Sequence, residues 1–182
     1  MSSFSYHSHA FCPLPLIFLY SLYMKKLYIL PGWKDTPNLP PYEQLAKAAK
    51  TKGYKVEPVV INWKKKMSTQ VFAVEENAVI FGFSLGALLG LKVSQNNKCK
   101  HLILGSMAVA NDFDDKKFRK SYDDLLGKEY VDDFLLGIYK KSLAAKVTTV
   151  YGAEEDEKGD IAIPNTGHEL SDAYIKKVIS LL

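Results

Sequence analysis

The chain has 182 residues, 47% of them hydrophobic and 24% charged, which is enough apolar material for one globular domain with a sizeable core. A formal charge of +4, spread over scattered lysines and the triplet Lys64-Lys65-Lys66, is too mild for a nucleic-acid-binding surface, and no nucleic-acid partner is expected. The two cysteines, Cys12 and Cys99, build neither a disulfide framework nor a metal-ligating pattern, so a reducing, cytoplasmic setting without a metal site is expected.

Residues 1–23 stand apart from the rest. Their apolar stretch, from residue 10 onward, is too short to span a bilayer and is interrupted by Pro13 and Pro15. It lacks the basic leading region and the small-residue cleavage site of a secretory signal. Met24-Lys25-Lys26 then opens directly into a strand. The stretch therefore reads as an extension outside the fold, with Met24 as the natural start; contact with a membrane surface is the rival reading. His7 and His9 lie in this tail and read as solvated side chains.

The fold is expected over residues 24–182. Residues 27–30 form a continuous apolar run that stops at Pro31-Gly32, as a buried parallel strand does before a loop. After a turn-rich loop, Pro40-Pro41 opens a helix over residues 42–52, with Leu45, Ala48 and Ala49 on its apolar face and Gly53 at its end. Residues 54–61 make the next strand. Pro58 lacks a ladder donor and places that strand at a sheet edge. Residues 64–77 fit either a short helix over 69–76 or a strand carrying Val71, Phe72 and Val74. Residues 78–83 form the third strand, which ends at Ser84, and a helix covers 85 to about 95.

Residues 101–104 form a fourth strand ending at Gly105-Ser106. The segment 111–146 is charged and aromatic, with Leu125, Leu126, Tyr130, Phe134 and Leu135 at helical spacing. It reads as two short helices: either ordinary crossovers, or a small cap that brings Phe113, Phe118 or Tyr122 to a substrate. Residues 146–151 are a fifth strand ending at Gly152, and 160–163 a short sixth. The final helix, 171–182, presents Ala173, Ile175, Val178, Ile179 and Leu182 on one face. Alternating strands and helices predict an α/β fold: a doubly wound, mostly parallel sheet of about six strands with helices on both faces. Ligands of such sheets sit beyond the carboxyl ends of the strands. Gly32, Ser84, Gly105, Gly152 and the loop after Ile163 all fall at that edge.

The chemistry centres on Gly82-Phe83-Ser84-Leu85-Gly86, a serine at a strand-to-helix turn. The glycines allow strand and helix to approach, and the helix aims its unpaired N–H groups at the serine, where an oxyanion would be stabilised. A serine hydroxyl is a weak nucleophile and needs a base steadied by an anion. Of four histidines, His7 and His9 are in the tail and His101 opens a strand at its amino end. His168 follows the last strand, in a loop that Gly167 lets turn inward, and is the candidate base. The orienting acid is expected in Gly152-Ala153-Glu154-Glu155-Asp156-Glu157. Glu155 is preferred for its offset from Gly152, Asp156 is the alternative, and Asp112 or Asp114 the fallback.

This elbow, the order serine, acid, histidine and the Pro-Gly loop after the first strand resemble the α/β-hydrolase superfamily over residues 25–182. The resemblance implies a small, single-domain serine hydrolase, with Ser84 as nucleophile, His168 as base and an acid after the fifth strand. It further implies an oxyanion hole from the main-chain N–H groups of Leu85 and Trp33. Pro31-Gly32 stands where the family often has His-Gly, Glu155 where an aspartate is usual, and the extra leading antiparallel strands of larger members are absent. The expected activity is cleavage of a carboxylic ester or thioester of a small-molecule acyl substrate through an acyl-serine, with no cofactor. Acyl transfer by the same residues, and a non-catalytic binding role for the fold, are the alternatives.

Overall fold

The computed structural model describes residues 24–108 and 110–182; the expectations for residues 1–23, membrane contact included, lie outside the described residues. Six strands form one sheet, β1 (Lys26–Leu30), β2 (Lys55–Pro58), β3 (Val79–Phe83), β4 (His101–Gly105), β5 (Val147–Gly152) and β6 (Ile161–Ile163). Their order is β2-β1-β3-β4-β5-β6, and every neighbouring pair is parallel. β3 and β4 lie at the centre and are buried along their whole length. That burial explains why they read as unbroken apolar runs rather than alternating ones.

Side chains alternate between two cores, as a strand's period of two requires. Leu27 and Ile29 of β1, with Phe81 and Ile103, face a layer made by α1 (Pro40–Thr51) and α5 (Asp172–Ser180). Tyr28 and Leu30, with Ile80, Leu102 and Leu104, face α2 (Leu85–Asn96) on the other side. Helix α2 is buried at nine of its twelve positions, so its apolar residues run all round it instead of forming a stripe. Helix α5 is amphipathic in the ordinary way, but Tyr174, not Ala173, fills the buried row with Ile175 and Val178.

Three segments depart from expectation. β2 covers only Lys55–Pro58, not residues 54–61. It is an edge strand: Pro58 pairs with Ile29, and the neighbouring Val59 N–H still donates to the Ile29 carbonyl (2.9 Å), so the donor that Pro58 lacks is one that would face the open edge. Residues 64–77 form neither the helix over 69–76 nor a strand. A single 3-10 turn spans Met67–Gln70, and side chains satisfy the backbone around it. The Gln70 amide nitrogen donates to the carbonyls of Asn62 and Lys65, and that of Asn97 donates to the carbonyl of Phe72. The insertion between β4 and β5 holds a 3-10 turn (Ala110–Asp114), α3 (Lys116–Leu126) and α4 (Lys128–Leu135). Helix α4 buries Tyr130, Val131 and Phe134 against the α2 side, as a crossover does. Helix α3 buries no residue fully. It leans on the insertion's own aromatic cluster, where Phe113 meets Phe118, Tyr122 and Phe134 at centroid distances of 5.1, 5.1 and 5.3 Å. Among the described residues no helix is long and apolar enough to cross a membrane.

Candidate active site

The carboxyl edge of the sheet is built from tight turns. β3 is followed directly by Ser84, whose φ of 54° and ψ of −125° lie where side-chain-bearing residues rarely go. Its neighbours must be glycine for steric reasons. A Cβ on Gly82 would stand 2.5 Å from the Gly86 carbonyl oxygen, and one on Gly86 would stand 2.2 Å from that of Pro31. The turn is pinned by Ser84 N–H donating to the Gly105 carbonyl (2.8 Å) and by Ala87 N–H donating to that of Ser84 (2.9 Å). Ser84 is thus presented at the amino end of α2.

The loop after β1 turns at residues 32–35, with Lys34 at φ 61° and Asp35 N–H donating to the Gly32 carbonyl at 3.0 Å. The Tyr42 hydroxyl holds this turn from α1: it accepts from Gly32 N–H (2.9 Å) and donates to Asp35 Oδ2 (2.7 Å). Burial, with the Asp35 carboxylate adding to it, pushes the Tyr42 phenol far above its ordinary range, so it remains a donor. Trp33 and Leu85 both line the cavity beside Ser84. Among the described residues neither main-chain N–H has an acceptor.

His168 lies in the loop after β6. That loop bends at Asn165 (φ 51°) and is clamped to the acidic loop by Glu154 N–H donating to the Thr166 carbonyl at 3.0 Å. Gly152 makes the approach feasible, since a Cβ there would stand 2.2 Å from that same carbonyl oxygen. The imidazole Nε2 is 3.0 Å from Ser84 Oγ, and Nδ1 is 2.8 Å from Glu155 Oε2. The His168 side chain is 54% exposed, whereas that of Glu155 is 5% exposed. The other Glu155 oxygen, Oε1, accepts from Ser106 Oγ–H (2.6 Å) and Gly152 N–H (2.7 Å).

The chain's order of serine, acid and histidine is therefore closed in space by one hydrogen-bonded line through Ser84, His168 and Glu155. Asp156 is exposed and faces another groove, shared with Asp112, Asp115 and Phe118, while Asp114 is exposed on its 3-10 turn. His101 sits at the opposite edge of the sheet, buried and hydrogen-bonded to Thr148 Oγ1 at 2.9 Å. Burial, and then the charges of Lys146 and Lys100, lower its pKa to about 4. Among the described residues no cluster of His, Cys, Asp and Glu could hold a metal.

The cavity at Ser84 measures about 480 Å³. Trp33, Leu39, Pro41, Leu85, Tyr122, Leu125 and Leu170 give it apolar walls, with Asp35, His168 and Glu169 among the polar groups. Of the three aromatics expected to reach a substrate, only Tyr122 lines this space. Phe113 is buried in the insertion's cluster, and Phe118 faces the other groove. Sequence reasoning did not single out Tyr42, Asp35, Ser106 or Tyr174. Their only trace was position, since each stands in or beside a turn or helix start at the carboxyl edge.

No family model matches this chain, and no curated protein matches it either. Solved structures do. One is a protein of Agrobacterium vitis S4 described as a putative hydrolase, with a TM-score of 0.61 at 11% identity, covering 87% of this chain and 86% of that one. Another is mouse alpha/beta hydrolase domain-containing protein 10, with a TM-score of 0.62 at 12% identity, covering 86% of this chain and 87% of that one. At such identities the likeness speaks to architecture alone: this chain, with its six-stranded parallel sheet, has an α/β-hydrolase fold.

Proposed function

We propose that this protein is a serine hydrolase that cleaves a carboxylic ester or thioester through a covalent acyl-Ser84. The observation that carries the reading is the relay itself: Ser84 Oγ within 3.0 Å of His168 Nε2, and His168 Nδ1 within 2.8 Å of a buried carboxylate. His168 Nε2 takes the Ser84 proton as Oγ attacks the substrate carbonyl carbon. Glu155 holds the ring in the Nδ1–H tautomer and stabilises the imidazolium that forms. The oxyanion lodges against the N–H groups of Leu85 and Trp33 at the positive end of α2. His168 then gives its proton to the leaving alkoxide or thiolate. In the second half it deprotonates a water, which attacks the acyl carbon, and returns the proton to Ser84 as the carboxylic acid leaves.

Two features support the substrate class and the acceptor. The largely apolar walls suit an apolar acyl or alcohol portion, with polar groups concentrated beside the reacting atoms. The half-exposed His168 leaves water free access to the acyl-enzyme as the acceptor. The test is labelling with a fluorophosphonate, followed by peptide mass spectrometry and by assay on a panel of short- and long-chain esters and thioesters. Adduct on Ser84, abolished in Ser84→Ala, is the expected result. Folded protein that leaves Ser84 unlabelled under conditions that label a control hydrolase would overturn the reading in favour of a non-catalytic binding role.

A further inference from the structure

A glutamate in the acid position creates a mechanical problem. Glutamate has one more rotatable bond than aspartate, and its terminal torsion is broad rather than locked in a staggered well. A carboxylate on such a stem presents a fixed oxygen to an imidazole only if other groups hold it. In this protein Oε2 faces His168, and the holding is done at Oε1, by Gly152 N–H and by Ser106 Oγ–H. Gly152 N–H is main chain at the last residue of β5, the strand that leads into the Glu155 loop. Ser106 follows the end of the neighbouring strand, β4, and is the one side chain, among the described residues, that anchors Oε1.

Ser106 is itself held with unusual firmness. It is 1% exposed, its N–H donates to the Val150 carbonyl at 2.8 Å, and its Oγ lies 3.2 Å from the Tyr174 hydroxyl. Tyr174 in turn donates to that same Val150 carbonyl at 2.5 Å. The backbone of Ser106 has φ 45°, a conformation in which glycine would sit without strain. A side chain kept there against its backbone preference points to what its hydroxyl does. We infer that Ser106 is a positioning residue: its hydroxyl, fixed at the end of β4, orients the Glu155 carboxylate so that its second oxygen steadies His168. The inference rests on the serine-hydrolase reading for its catalytic meaning, though the geometry it asserts can be tested without turnover.

The informative variant is Ser106→Gly, which suits φ 45°, keeps the bond from the residue 106 N–H to Val150 and removes the hydroxymethyl side chain. Ser106→Ala is the companion variant that keeps the Cβ. Two measurements on the full chain are needed. In a crystal structure of the glycine variant, the Glu155 carboxylate should rotate or split between orientations and lose its 2.8 Å contact with His168. With a p-nitrophenyl ester, kcat should fall about tenfold in both variants with KM unchanged, while the glycine variant melts no lower than the parent. A carboxylate that stays in place overturns the inference, and so does an unchanged kcat in an active enzyme. If the parent protein hydrolyses no ester or thioester, the hydrolase reading fails by itself and the crystallographic result alone decides the role of Ser106.

Discussion

The two edges of the sheet handle the same difficulty in opposite ways. At the carboxyl edge, every non-glycine residue with positive φ among the described residues sits in a turn after a strand: Lys34 after β1, Ser84 after β3, Ser106 after β4 and Asn165 after β6. Elsewhere positive φ is left to glycine, at Gly53, Gly127 and Gly137. Among the described residues, a side chain at positive φ is found only at this edge, and two of those side chains, Ser84 and Ser106, hydrogen-bond to His168 and Glu155 respectively. The histidines show the same division. His168 is half exposed between a hydroxyl and a carboxylate, whereas His101 is buried at the amino edge with Thr148 as its partner. One lies between a hydroxyl and a carboxylate in the wall of a cavity, and the other is buried where a charge is disfavoured.

The sharpest way to break this division is to remove the reacting groups at one edge and the histidine at the other. Ser84→Ala and His168→Gln should each lower kcat/KM for an ester by at least about 10⁴-fold with the fold intact, because neither partner acts without the other. Glu155→Gln should follow at about 10² to 10⁴-fold. It keeps the shape but not the charge that favours the Nδ1–H tautomer and the imidazolium. His101→Gln should leave kcat/KM unchanged at pH 7. Steady-state assays beside circular dichroism spectra check all four, and a comparable loss in His101→Gln would erase the distinction between the edges.

The amino edge and the sheet were the easier part to read from the chain. β1, β3 and β4 are continuous apolar runs because they are buried on both faces, and Pro58 marks β2 as an edge strand because it lacks a donor. Ser84, Glu155 and His168 could be picked out because glycine and strand-end signals accompany each. The supports could not. Ser106 and Glu155 are 49 residues apart, and a serine after a strand-ending glycine has the composition of any turn. Tyr42 reads as an ordinary helix residue, yet its hydroxyl holds the turn that presents Trp33. Residues 64–77 misled for a related reason. Amides of Gln70 and Asn97 supply hydrogen bonds that a helix or strand would otherwise provide, and no periodicity announces that.

The amino edge should reveal itself through pH rather than turnover. With the folded-state pKa of His101 lowered to about 4 from an ordinary 6.5, the unfolded chain binds a proton between those values that the folded chain does not. Stability therefore rises with pH across that window. Its contribution is fully present above about 6.5 and is lost as pH falls toward 4, on the order of 2 kcal/mol. Urea titrations at pH 7.5 and 4.5 should show His101→Gln losing less stability than the parent over that range. Equal losses would mean that His101 is not kept neutral by burial.

The smallest effect expected sits at the elbow, where it separates strain from chemistry. Ser84→Gly and Ser84→Ala both remove the hydroxyl, so both should abolish turnover. They differ in backbone: φ 54° and ψ −125° are the mirror image of an extended conformation, open to glycine and disfavoured for alanine. Glycine relieves the strain but adds freedom to the unfolded chain, which offsets part of the gain. The net expectation is about 1 kcal/mol more stability for Ser84→Gly than for Ser84→Ala, or roughly 2–4 °C in melting temperature for a chain of this size. Calorimetry on the two variants reads that difference directly. A glycine variant no more stable than the alanine one would show that the strain at the elbow is no larger than glycine's entropic cost, and would set the serine's backbone beside the relaxed turns of the opposite edge.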